Sequence, residues 1–231
     1  MLRIDILTPF PEVVKIITGT SILNRAQEKG MVSYNYYNLF NYTDPPHNKI
    51  DDYPFGGGSG MIMKPEPIFR AYEDIKKRKE FNNHKVIFPS PDGYQFNQDK
   101  AKELSKLNNI IFICGHYKGI DQRIRDYLVT DEISIGDYVI SGGELSSMII
   151  LDSIVRLIPG VLNSYESAET DTYMSNLLDC PHYTRPREFN GYNIPEVLLS
   201  GNHNEIEKWK KNKREEKTKL IRPDIWEKYN K

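Results

Sequence analysis

Five consecutive apolar residues, Ile110, Ile111, Phe112, Ile113 and Cys114, constrain the fold of this chain more than any other feature. So short and unbroken a run fits a strand covered on both faces, because a strand wetted on one side alternates apolar with polar residues. Its surroundings repeat the theme. Leu2, Ile4 and Ile6 alternate as in a strand, and residues 9–30 read as helices, with Ser21 a candidate cap and Gly30 a stop. Residues 32–40 read as a Tyr-rich strand, 65–79 and 97–107 as helices, and 85–89 as a strand. Strands alternating with helices predict an α/β domain with a parallel sheet.

The most informative stretch within that frame is D-E-I-S-I-G-D-Y-V-I-S-G-G at residues 131–143. Its apolar residues Ile133, Ile135, Val139 and Ile140 predict a buried strand bent at Gly136 and Asp137, ahead of an apolar helix starting near Glu144. Glycines at such a turn leave the main chain bare, so it approaches a flat, polar ligand closely. On local pattern alone an ordinary strand–turn–helix junction fits equally well and is the commoner case. Two further strands end in similar loops, S-P-D-G at 90–93 and G-H-Y-K-G at 115–119. In parallel sheets ligands sit at the carboxyl ends of strands, which predicts that the three loops converge on one pocket. Residues 44–63 form a further long loop, rich in Gly and Pro and carrying Asp51 and Asp52; loops of this length inside a compact domain tend to be functional.

Residues 146–158 carry Met148, Leu151, Ile154, Val155 and Ile158 at helical spacing and stop at Pro159 and Gly160. The polar residues 163–172 then mark the best linker and domain boundary. At 231 residues, with 39% hydrophobic and 27% charged residues, the chain suits one large domain and a smaller appendage. Its charge is uneven: residues 201–231 hold 10 Lys/Arg against 6 Asp/Glu, and residues 1–200 hold 21 against 26. A basic tail on an acidic body fits a polyanion partner or a solvated helix face. With neither an apolar span nor a signal-like start, no membrane association is predicted, and a cytoplasmic location is. Two cysteines without ligand spacing predict neither a disulfide framework nor a zinc site, so no residue is assigned to a metal.

No GxGxxG, P-loop, HExxH or GxSxG pattern occurs, which removes the simplest support for dehydrogenase, NTPase, zincin and serine-hydrolase chemistry. Five blocks together carry a positive signal: D-D-Y-P-F-G-G-G-S-G-M at 51–61, C-G-H-Y-K-G-I-D at 114–121, S-I-G-D-Y-V-I-S-G-G-E at 134–144, L-D-C-P-H-Y-T-R-P at 178–186 and L-S-G-N-H at 199–203. In this order, over nearly the whole chain, they resemble the TrmD family of SPOUT-class tRNA (guanine-N(1)-)-methyltransferases acting at tRNA position 37.

The resemblance implies a SPOUT-type parallel sheet with a deep trefoil knot over residues 1–162, a linker over 163–175 and a small, mainly helical tRNA-binding domain over 176–231. It implies S-adenosylmethionine bound by Ser90, Pro91, Gly115, Tyr117, Gly119, Ile135, Gly136, Asp137, Tyr138, Val139, Ile140, Gly142 and Gly143. It also implies a homodimer with a shared active site, and contact with the tRNA anticodon stem–loop through Asp179, His182, Tyr183, Ser200, Asn202 and His203. Carried over residue by residue, the catalytic pair is Asp171, as the base that removes the guanine N(1) proton, and Arg156, as the donor to guanine O6. Read without the family, Asp171 is a loop acid or helix cap, and Arg156 a helix partner of Asp152. Lys118 stands where the family frequently has Glu, Ser59 where the glycine loop often has Pro, and Tyr53 where some members have a basic residue. The change at Lys118 inverts a charge beside the cofactor loops, so magnesium is kept only as a second candidate cofactor. Two alternatives stay open: another SPOUT methyltransferase acting on an rRNA base or a ribose 2′-hydroxyl, and a non-catalytic RNA-binding module.

Overall fold

The computed structural model describes residues 1–78, 83–162, 172–174 and 176–230. The chain divides into two compact units, Met1–Asn163 and Ser164–Lys231.

In the first unit, Leu2–Thr8 (β1), Val32–Asn38 (β2), His84–Gln95 (β5), Asn109–Ile113 (β6) and Asp131–Ser134 (β7) form one sheet in the order β2-β1-β6-β5-β7. Every pairing in this sheet is parallel. Asp51–Asp52 (β3) and Ile62–Met63 (β4) make a separate antiparallel pair. The helices are Pro11–Thr18 (α1), Ser21–Glu28 (α2), Pro65–Lys76 (α3), Gln98–Leu104 (α4), Gln122–Tyr127 (α5) and Gly143–Val155 (α6).

The unbroken apolar run is explained by its neighbours on both faces. Ile110, Phe112 and Cys114 join Ile4 and Ile6 in a core closed by Val14 of α1, Leu23 of α2, Leu104 of α4 and Leu151 of α6. Ile111 and Ile113 point the other way, into a second core with Leu7, Phe88, Ile68 and Ile75 of α3, and Ile124 of α5. Successive strand residues face opposite sides, so only a strand buried twice has no use for polar residues. The edge strand β7 is pinned by Asp131, which takes Lys85 at 3.0 Å and Lys100 at 2.7 Å. Burial raises the Asp131 carboxyl, but hydrogen bonds from Lys100, Lys85 and Thr130 outweigh it and leave the group below the usual carboxylate range.

Several predicted boundaries are corrected. The strand expected to run on through Val139 and Ile140 stops at Ser134: Val139 is 82% exposed and Ile140 is exposed as well. Gly136, at φ +147°, turns the chain off the sheet edge, and the Ser134 hydroxyl bonds both its N–H and its carbonyl. β2 ends at Asn38, whose side-chain oxygen accepts the Phe40 N–H and starts a 3-10 turn, Leu39–Tyr42. β5 runs past 89 because a bulge ejects residues 90–93, with Pro89 and Tyr94 both opposite Ile133. The cap of α2 is Thr20 rather than Ser21.

Helix α6 carries apolar residues on more than its core face, with Asp152 also exposed. One side enters the core through Met148, Leu151 and Val155, while Leu145 and Ile149 stay exposed. α1, packed beside it, exposes Val13 and Ile16. Among the described residues no helix is long and apolar enough to cross a membrane.

Among the described residues, the second unit has a hairpin of two-residue strands, Glu188–Phe189 with Tyr192–Asn193, a 3-10 turn, Glu196–Leu199, and the helices His203–Ile221 and Pro223–Tyr229. Leu177, Leu178, Cys180 and Ile225 are its buried apolar residues among those described. The buried Thr218 hydroxyl accepts the Leu178 N–H at 2.8 Å and donates to the Arg214 carbonyl, tying the segment before the hairpin to the long helix. Much of the basic charge on that helix is paired locally: Lys210 with Glu207, Lys213 with Glu216 and Lys211 with Glu215.

Candidate functional site

The bulge of β5 at residues 90–93 and the loops after β6 and β7 meet around a cavity of about 250 Å³. All the residues picked out for the cofactor line it except Asp137. Asp92, His116, Lys118, Ser134 and Ser141, which belong to the three loops expected to converge but were not singled out as cofactor contacts, also line it, as do Phe88, Arg125 and Ser146, which lie outside those loops. The apolar side chains misread as a strand continuation, Ile135, Val139 and Ile140, are the cavity's apolar wall. Arg125 came with no sequence signal: it stacks its guanidinium 5.0 Å over the Phe88 ring and pairs with Glu132 at 3.1 Å. α5 brings it against the loop after β6, where a Cβ on Gly119 would lie 3.8 Å from its Nη2.

The glycines are bare for a different first reason than ligand approach. A Cβ on Gly115 would lie 2.7 Å from the Phe88 ring. One on Gly143 would lie 2.7 Å from the Gly115 nitrogen and 2.8 Å from the Cys114 Cα, and one on Gly142 would collide with His116. Gly143 also donates its N–H to the Gly115 carbonyl at 2.8 Å. Here two stretches of main chain touch directly, so the missing side chains serve protein packing. We expect Gly143→Ala to destabilise the first unit by about 1–3 kcal/mol, the usual cost of overpacking a site that cannot yield. A thermal melt without ligand checks this, and a drop of several degrees is the expected result.

Backbone bonds lock the glycine-rich loop to the same site. Lys118 N–H donates to Met61, Met63 to Gly119, and Asp121 to Met63, all at 2.9–3.0 Å. Between them Tyr117 sits at φ +60°, a conformation uncommon for a residue with a side chain, and exposes its ring.

Behind the cavity lies a buried carboxylate. Glu144, in the first turn of α6, takes the Thr8 hydroxyl at 2.6 Å on one oxygen and faces His116 Nε2 at 2.8 Å on the other. The blocks containing His116 and Glu144 were visible in the sequence, but nothing in it joins residues 28 apart to each other or to Thr8.

The catalytic expectation is only partly located. Asp171 lies outside the described residues. Arg156 caps the carboxyl end of α6 and is half-buried. In the second unit, Asp179 receives His182 Nε2 at 2.7 Å and Arg214 at 3.1 Å, and its carbonyl receives Lys217. Burial raises the Asp179 carboxyl, but the bonds from His182, the Cys180 N–H and Arg214 prevail and hold it low. Asp179, Cys180 and His182 offer three ligand-type atoms within 4.8 Å of one another. The direct Asp179–His182 bond and the adjoining Arg214 already occupy that carboxylate. Tyr183 is exposed. The Ser200 hydroxyl accepts the Asn202 N–H, and the Asn202 side chain accepts the Glu205 N–H, so these two residues shape the turn into the long helix, which His203 begins.

A family model described as tRNA (guanine-1)-methyltransferase TrmD matches residues 2–228. A curated tRNA (guanine-N(1)-)-methyltransferase from Anoxybacillus flavithermus is 51% identical over 228 residues, covering 99% of this chain and 93% of the relative. One from Clostridioides difficile is 50% identical over 229 residues, 99% of each chain. One from Bacillus cereus strain AH820 is 50% identical over 226 residues, covering 98% and 92%.

Proposed function

This chain belongs to the TrmD family of tRNA (guanine-1)-methyltransferases, and we propose that it carries a methyl group from S-adenosylmethionine to N(1) of the guanine at position 37 of tRNA, beside the anticodon. The observation that carries this reading is the convergence of the β5 bulge and the loops at the carboxyl ends of β6 and β7 on one cavity. The lining suits a flat heteroaromatic group with a charged tail. Ile135, Tyr138, Val139 and Ile140 give apolar surface, and Lys118 and Arg125 give positive charge.

Bound S-adenosylmethionine supplies the electrophilic methyl group, and the protein handles the proton. N(1) of neutral guanine is protonated and its lone pair is not available for attack. Asp171 accepts that proton from a guanine taken out of the stack, and Arg156 donates to O6, where negative charge grows as the proton leaves. Asp92 is the one carboxylate among the described lining residues; Arg125 stands 3.6 Å from it, and Lys118 adds a second positive charge to the lining. That set does not fit a magnesium ion, and no step runs through one.

The same reading gives the first unit a trefoil knot, residues 163–175 the part of a linker, and residues 176–231 the grip on the anticodon stem–loop through Asp179, His182, Tyr183, Ser200, Asn202 and His203. It also makes the enzyme a cytoplasmic homodimer. The main-chain contact of Gly143 with Cys114 and Gly115 supports the knot, because the chain after β7 passes directly against the end of β6. The exposed apolar side chains of α1 and α6 support the dimer: Val13, Ile16, Leu145 and Ile149 on two adjacent helices offer apolar surface that a second copy would cover.

The test is incubation with methyl-labelled S-adenosylmethionine and tRNA transcripts bearing G or A at position 37, followed by nuclease digestion and mass spectrometry. We expect N(1)-methylguanosine from the G37 transcript alone. Label in a ribose, in another base or in neither transcript overturns the reading.

A further inference from the structure

We infer that His116 is a positioning residue for the cofactor cavity, acting through the buried carboxylate of Glu144. This inference rests on the S-adenosylmethionine reading of the cavity.

The hydrogen-bond order fixes the roles. The Phe10 N–H donates to Thr8 Oγ1 at 2.9 Å, so the Thr8 hydroxyl hydrogen goes to Glu144 Oε1 at 2.6 Å. Glu144 Oε2 is left to His116 Nε2 at 2.8 Å, and a carboxylate only accepts, so the imidazole donates. The Phe10 ring packs edge-on against the imidazole at 5.1 Å, and the His116 N–H rests on Met63 Sδ. The end of β1, the loop after β6 and the start of α6 are thereby joined through one carboxylate.

Only His116 of this trio also lines the cavity. Its ring fills the space that a side chain on residue 142 would need, and the two residues bridge backbone to backbone. The position of the imidazole therefore sets the path of Gly142 and Gly143, whose main chain forms the cavity wall. Without the His116 donor, Glu144 Oε2 is a buried acceptor with no partner. Burying such a group is unfavourable, so the carboxylate or water moves to satisfy it, and the cavity wall moves with it. A residue that merely filled space would leave cofactor binding intact in any folded variant.

The experiment measures S-adenosylmethionine affinity by calorimetry, turnover at saturating cofactor, and melting temperature, for wild type, His116→Leu, His116→Asn and His116→Gln. Only the Gln amide places a donor at the distance of Nε2. We expect His116→Leu and His116→Asn to lose about tenfold or more in affinity, the scale of a hydrogen bond to a charged group. Their turnover at saturation should stay within a few-fold of wild type, and His116→Gln should recover most of the affinity. If the Leu variant fails to fold, the Asn and Gln pair makes the same comparison. Affinity in the folded Leu or Asn variants within twofold of wild type overturns the inference, as does Gln binding no better than Asn. Wild-type protein that fails to bind S-adenosylmethionine overturns the cofactor reading itself and, with it, this inference.

Discussion

Asp171→Asn is expected to lower single-turnover methylation about 10²–10⁴-fold, the usual contribution of a general base, while calorimetric affinity for S-adenosylmethionine stays at the wild-type value. The asymmetry follows from the chemistry. Guanine N(1) becomes a nucleophile only as its proton leaves, and an amide of the same shape accepts no proton at neutral pH. Among the described residues the cavity proposed for the cofactor is lined by residues between 88 and 146, and the cofactor affinity is expected to rest on these. Arg156→Ala should lose turnover through a different route, since O6 then develops charge without its donor. Rapid-quench measurement with enzyme in excess over G37 transcript isolates the chemical step from product release. A variant within a few-fold of wild type would sink the assignment of Asp171 and send the search for a base elsewhere.

How much of this was legible before the structure depends on whether the signal was local. The doubly covered sheet was readable because burial on both faces writes itself into consecutive residues, as in Ile110, Ile111, Phe112 and Ile113. The stretch after Ser134 misled for the same reason. A cavity wall and a buried strand both select Ile and Val, and only the left-handed turn at Gly136 separates them. The glycine loops were found, yet their need for bareness was assigned to a ligand when the nearest claimants are Phe88, His116 and the Cys114 backbone. Those contacts join positions up to 29 apart and have no one-dimensional trace. The Thr8–Glu144 bond, 136 residues apart, is the extreme case. In the tail, the charge count fitted a polyanion partner or a solvated helix face and gave no pairing, whereas Arg214 is drawn inward onto Asp179 and Lys210, Lys211 and Lys213 pair with acids on their own helix. Charge composition reports number and sign, whereas partner choice depends on which face of the helix each residue takes.

Mixed dimers of Asp171→Asn and Ser141→Trp subunits are expected to recover about half the wild-type rate per dimer, two or more orders of magnitude above either parent homodimer. The design needs one subunit with an intact cavity and no base, and one with a base and no usable cavity. Gly142→Val is unsuitable for the second role, because its side chain would collide with His116 and disturb the fold rather than only the cavity. Ser141 is exposed and lines the cavity, so an indole there occupies cofactor space without displacing buried groups. If residue 171 of one subunit serves the cavity of the other, each mixed dimer contains one complete site and one doubly damaged site. If each subunit instead supplies its own base, both sites lack one half of their machinery and the mixture stays as inactive as its parents. The apolar strips of α1 and α6 give the pairing a physical basis, since Val13, Ile16, Leu145 and Ile149 stand exposed on adjacent helices. The measurement is co-refolding of differently tagged subunits, isolation of doubly tagged dimers, confirmation of a one-to-one ratio by native mass spectrometry, and methyl transfer to a G37 transcript. Doubly tagged dimers with no more activity than the parents would refute a site shared between subunits, and failure to recover any doubly tagged species would refute the dimer.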